Sequence, residues 1–100
     1  MRVIRTAAAQ LGPIQRSEDR ASVIARMIAL MDAAKAEGAD FIVYPELALT
    51  TFFPRWHLED RRDADAWFEA TMPSAATAPL FARARTHLSL IHISEPTRPY

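Results

Sequence analysis

Phe41-Ile42-Val43-Tyr44-Pro45-Glu46 is the stretch on which the reading of this chain turns. Four aromatic and β-branched residues in a row, bounded by Asp40 and Pro45, read as a short buried strand. Proline brings no amide hydrogen and fixes its own φ, so ladder pairing stops at Pro45. Glu46 is then the first ionisable side chain past the carboxyl end of that strand. Upstream, Gly38 sits where a left-handed residue closes a helix. Before it, Val23, Ile24, Met27, Ile28, Met31 and Ala34 recur at three- and four-residue steps, one apolar face of an amphipathic helix. The pattern predicts a helix from Glu18 to Glu37, with Ser17 as N-cap and acids in the first turn. Further back, Val3 to Gln10 is mostly apolar up to the Gly12-Pro13 break and is predicted to be a buried strand. Strand, helix, strand is a βαβ unit. Its strands are parallel, its crossover right-handed, and its helix covers one face of the sheet.

Downstream of Pro45 the texture changes. Residues 46–58 carry bulky rings without a clean period and read as a long loop. Asp60 to Ala70 is charged, with Trp67 and Phe68 as packing residues, and is predicted to form a short helix. Met72-Pro73-Ser74 breaks the chain. Thr77 is then the expected cap of a further helix with Leu80, Phe81, Ala84 and Leu88 as its apolar stripe and Arg83 and Arg85 outside. Leu90 to Ile93 reads as a third strand, and Ser94 to Tyr100 has two prolines and nothing to bury.

Composition removes several functions. One hundred residues make at most one small domain, and 50% hydrophobic with 24% charged residues is globular rather than disordered. Twelve basic residues balance twelve acidic ones, so no global field draws nucleic acid or an anionic membrane. With no cysteine the chain holds no disulfide, thiolate metal site or cysteine nucleophile of its own. Its two glycines, Gly12 and Gly38, stand alone, which excludes a glycine-rich phosphate cradle. His87 and His92 lack ligand-spaced partners, so neither metal nor cofactor is expected. No apolar run approaches the roughly 20 residues that span a bilayer, and Met1 to Gln10 lacks the core of a secretory signal. A cytoplasmic protein acting on a small molecule is the expectation.

Glu46 stands out because ligands of parallel α/β sheets bind beyond the carboxyl ends of the strands. Flanked by Leu47, Ala48 and Leu49, it is expected to be partly desolvated, as suits a general base. On spacing alone, a solvated or ion-paired carboxylate at a strand end is the favoured alternative. Phe52, Phe53, Trp56 and His57 line a substrate pocket, with Arg55 pairing to a ligand carboxylate, or else plug the sheet edge or an interface; spacing favours the second. Met27 and Met31 read as core filler. Lys35, the only lysine, reads as a surface charge.

The run from Phe41 through Glu46 to Leu49-Thr50-Thr51-Phe52-Phe53-Pro54-Arg55-Trp56-His57 closely resembles the region around the catalytic glutamate of the nitrilase (carbon–nitrogen hydrolase) superfamily. Pro45-Glu46-Leu47 is common across that superfamily. The continuation to His57 is narrower and resembles the N-carbamoyl-D-amino acid hydrolases. Gln10-Leu11-Gly12-Pro13-Ile14, the first helix, and Met72-Pro73 followed by Pro79-Leu80-Phe81 also fall where that family places them. The resemblance implies the N-terminal part of a four-layer α-β-β-α sandwich over residues 1–88. It also implies a Glu–Lys–Cys triad with Glu46 as general base towards a cysteine that attacks the carbamoyl carbon, and a lysine that stabilises the oxyanion. Phe53 and Arg55 become substrate-binding candidates, and the full-length parent a homo-oligomer.

Neither the lysine nor the cysteine carries over to a position in this chain, so the fragment alone is expected to be inactive. Residues 89–100 depart from the family and resemble a translated sequencing-adapter read-through, a non-native tail. The alternatives weighed against this reading are another amidase of the superfamily (a β-ureidopropionase, aliphatic amidase or nitrilase) and a small non-catalytic binding module.

Overall fold

A computed structural model of the chain describes residues 3–50, 62, 71–87 and 90–92. Their elements run β1 (Thr6–Ala8), α1 (Arg20–Ala36), β2 (Phe41–Val43), α2 (Ala78–His87) and β3 (Leu90–His92). The strands form one sheet in the order β1-β2-β3, and both pairings are parallel. This is the expected α/β class with a βαβ start, extended by the expected third strand. Pairing puts Ala7, Ile42 and Ile91 in one row across the sheet. That row belongs to the same apolar cluster as Val23, Ile24, Met27 and Met31 of α1 and Leu80 and Ala84 of α2. Both helices therefore lie on one face of the sheet. Met27 and Leu80 have no exposed surface at its centre, and burying such a side chain contributes about 1.5–3 kcal/mol. On the opposite face Phe41 and Val43 are half-buried while Thr6 and Ala8 are exposed.

The sequence reading of β1 needs correction. The strand covers three residues rather than Val3 to Gln10, and it is not buried. Val3 and Ile4 are exposed at 76% and 54%. The reason is position: β1 is an edge strand, and the covering helix reaches only its inward row. β2, between two neighbours, comes nearer to the buried strand that was expected: Ile42 is buried, Phe41 and Val43 are half-buried, and pairing ends at Val43, one residue before the buried Tyr44. Its start is pinned to β1 reciprocally, because the Arg5 amide donates to Asp40 Oδ2 (3.1 Å) and the Asp40 amide donates to the Arg5 carbonyl (2.8 Å).

Helix α1 starts two residues later than predicted. Asp19, not Ser17, is the N-cap: its backbone is extended and its side chain accepts from the Ser22 amide at 2.7 Å. Glu18 is consequently outside the helix, and its carboxylate turns to Arg26 and Ser22 instead of the helix dipole. The other end is as expected. Gly38 takes φ +86°, its amide donates to the Lys35 carbonyl, and the Ala39 amide reaches back to Ala34. These two bonds make a Schellman closure.

Helix α2 begins at Ala78, directly after Thr77, the expected cap, whose carbonyl accepts from the Phe81 amide at 3.3 Å. Ser74 and Thr77 cap each other: the Ser74 amide donates to Thr77 Oγ1 (2.8 Å) and the Thr77 amide to Ser74 Oγ (3.3 Å). This reciprocal pair has the form of a capping box over the turn that leads into α2, and Thr77 stands directly before the helix as expected. The Met72-Pro73 peptide just before it is cis. The helix predicted over residues 60–70 lies outside the described residues, apart from an exposed, helical Arg62.

Candidate active site

Parallel strands send their following loops off the same edge of a sheet. Here the loop after β1 and the loop after β2 leave side by side, held together by the Ala9 amide donating to the Val43 carbonyl at 2.8 Å. Between them lies a depression of about 150 Å³. Leu11, Gly12, Pro13 and Ile14 form one wall, and Pro45, Glu46, Leu47, Ala48 and Thr50 the other. Glu46 thus stands beyond the carboxyl ends of two adjacent strands. The expectation that it is partly desolvated is not met: the side chain is exposed, while Leu47, Ala48, Leu49 and Thr50 behind it are all buried. Alternation is broken in this turn, so the apolar flanks fold under Glu46 instead of around it.

Leu47 adopts φ +55°, a left-handed conformation for a branched residue with no glycine's freedom. Such a residue carries a strain of about 1–2 kcal/mol and persists where its surroundings hold it. Its buried side chain supplies that hold. The effect is a sharp bend directly after Glu46 that presents the carboxylate outward. Below the turn, the buried Tyr44 hydroxyl donates to the Met27 carbonyl at 2.7 Å, fixing the end of β2 to the middle of α1. Burial, with the charge of Asp32 adding to it, pushes the Tyr44 hydroxyl well above its usual range.

A larger depression, about 540 Å³, opens along the β1 edge between residues 5–10 and Leu30, Ala33, Ala34, Glu37, Ala39 and Ile42. Its lining is rich in alanine, with Thr6 and Glu37 as its hydroxyl and carboxylate, and Glu46 is not part of it. Glu46 belongs to the smaller depression alone.

One ionic cluster escaped the sequence reading. Asp32 on α1 meets His87 Nε2 at 2.7 Å and Arg83 Nη1 at 3.0 Å, both from α2. The hydrogen bond to His87, with the Arg83 charge adding, holds the Asp32 carboxyl below its ordinary range. The sequence separation of Asp32 and His87 is 55, so no linear spacing announces this pair. It joins the two helices and does not line the Glu46 depression. Lys35 is exposed in the last turn of α1, as expected. Among the described residues no group of three or more His, Cys, Asp or Glu side chains is placed to hold a metal, and no described helix is long and apolar enough to cross a membrane. Phe52, Phe53, Arg55, Trp56 and His57 lie outside the described residues. Residues 5–98 match the family model for carbon–nitrogen hydrolase.

Proposed function

Because the chain belongs to the carbon–nitrogen hydrolase family, we propose that Glu46 is the general base of an N-carbamoyl-D-amino acid hydrolase. The observation that carries this reading is the place of Glu46, aimed outward past the carboxyl ends of β1 and β2 by a strained turn. The Glu46 carboxylate takes the proton of a cysteine thiol. The thiolate adds to the carbamoyl carbon, and the C–N bond to the terminal nitrogen breaks as that nitrogen leaves, protonated, as ammonia. Water then hydrolyses the acyl-enzyme, releasing carbon dioxide and the D-amino acid. The thiol and the cation that steadies the oxyanion come from outside these hundred residues, since the chain has no cysteine and its one lysine lies on α1. The substrate assignment rests on the run from Leu47 to His57, in which Phe53 and Arg55 contact the substrate and Arg55 pairs with its carboxylate.

The experiment measures ammonia release from N-carbamoyl-D-phenylalanine. The gene completed with its natural downstream sequence should turn over, and the 100-residue chain should not. In the completed protein Glu46→Gln should lose about 10²–10⁴-fold in rate. Turnover by the short chain would overturn its inactivity. A completed enzyme that spares this substrate and cleaves another amide or a nitrile would overturn the substrate, and an unimpaired Glu46→Gln variant the role of Glu46.

A further inference from the structure

The wall that faces Glu46 is held from behind. Arg26, midway along α1, donates from Nη1 to both carboxylate oxygens of Glu18, at 2.9 and 3.0 Å, and from Nη2 to the Leu11 carbonyl. The Arg26 side chain is about two-thirds buried and the Glu18 side chain more so. The hydrogen bond from Arg26 holds the Glu18 carboxyl below its ordinary range, so the pair stays charged near neutral pH. Leu11 is itself buried. The next residue, Gly12, turns with φ +78°, and a Cβ there would lie 3.5 Å from Arg26 Nη2. Pro13 follows with its ring-fixed φ. Three consecutive residues are thus constrained, one by the guanidinium, one by its own left-handed backbone and one by its ring. Their other side lines the Glu46 depression.

We propose that Arg26 is a positioning residue, which sets through the Leu11 carbonyl the separation between the Gly12–Ile14 wall and Glu46. This rests on the reading of Glu46 as the reactive carboxylate. The depression is about 150 Å³, the liquid volume of roughly five waters. A small displacement of either wall therefore changes what fits beside the carboxylate, and misplacement by about 1 Å costs on the order of 10²-fold in rate. The geometry needs arginine. A planar fork bridges a carboxylate and a carbonyl at once, whereas an ammonium is a point charge that satisfies one of them in register. Glu18 orients the fork, and the Leu11 carbonyl receives the result.

The test uses nuclear magnetic resonance on the 100-residue chain and on its Arg26→Met, Arg26→Lys and Glu18→Gln variants. In Arg26→Met, the order parameters of Gly12 and Ile14 should fall from about 0.85 towards 0.6. The Glu46 side-chain and Leu47 and Ala48 amide resonances should move with them, while those of β3 and of α2 beyond Arg83 stay in place. Lysine should rescue part of both effects, and Glu18→Gln should give the smaller change. Should Arg26→Met fail to fold, Arg26→Lys against the unaltered chain makes the same comparison. The proposal is overturned if the loop loosens with no response at Glu46–Ala48, or if all regions respond alike, as they would to a general loss of stability. Neither readout needs turnover, so a completed enzyme with the wrong activity would count against the functional reading and leave this coupling standing.

Discussion

Replacing Tyr44 by phenylalanine removes one hydroxyl from an otherwise unchanged shape, and its effect should change sign with pH. The hydroxyl is buried and donates to the Met27 carbonyl at 2.7 Å. Met27 lies within α1, so that carbonyl keeps its helical bond from four residues on and is not left bare. The loss at pH 7 is therefore that of one net hydrogen bond, about 1 kcal/mol, without the penalty for an orphaned buried acceptor. For a chain of this size that is a fall of about 4–8 °C in Tm. Burial raises the Tyr44 hydroxyl above its ordinary range. Above about pH 10 the unfolded chain thus releases a proton that the folded chain retains. The stability is complete below that pH and declines above it, by up to about 1.4 kcal/mol per unit. Tyr44→Phe escapes this decline. Urea unfolding followed by circular dichroism should show the variant less stable at pH 7, level with the unaltered chain near pH 11, and ahead of it beyond. A difference that stays the same at pH 7 and pH 11 would refute the account, as would a loss well beyond about 2 kcal/mol at pH 7.

Three further substitutions probe the frame around the site. Asp32 is held below the ordinary carboxylate range by His87 and Arg83, so its contribution is present above its unfolded value of about 3.9 and fades as pH falls through the lower folded one. Asp32→Asn should flatten the acid limb of the stability curve below about pH 4, and an unchanged limb would remove Asp32 from the acid transition. Gly38→Ala places a Cβ at φ +86° and 3.0 Å from Arg5 Nη1, the movable end of a side chain. The backbone strain should cost about 1–2 kcal/mol, read as a lower urea midpoint at unchanged slope. Ser74→Ala opens the capping box and should cost about 1 kcal/mol. Amide exchange should show that loss concentrated in the first turn of α2, and uniform loss would contradict the capping assignment.

What the sequence disclosed, and what it withheld, follows from the range of the interaction responsible. The α1 face was legible because Val23, Ile24, Met27 and Met31 bury at helical spacing, and β2 because a β-branched run ends at Pro45. Gly38 was legible because only a left-handed residue closes that helix so readily. The cap of α1 was displaced because Ser17, Glu18 and Asp19 all suit a helix start, and the choice fell to Asp19 once Arg26 drew Glu18 away. Thr77 was legible as the residue before α2, but its reciprocal pairing with Ser74 was not. β1 was drawn too long because apolar Val3 and Ile4 look buried unless one knows that the strand is at an edge. At the site, the place of Glu46 beyond β2 was readable from Pro45, but its exposure and the bend at Leu47 were not. The opposing wall was not readable either, since the Arg26 bond to Leu11 joins residues 15 apart in sequence; nor was the pairing of Asp32 with His87, away from the site, which spans 55.

The sheet order β1-β2-β3, parallel throughout, has a consequence for synthesis on the ribosome. No described strand has a hairpin partner next to it in the chain. Arg5 and Asp40, which start the first pairing, are separated by 35 residues. The nascent chain must therefore extend past β2 before Thr6–Ala8 can bond to anything, and past α2 before β2 gains its second neighbour. Until then α1, which closes its own hydrogen bonds locally, is the element able to form first. Its apolar face waits in the open for the strand that Glu46 follows.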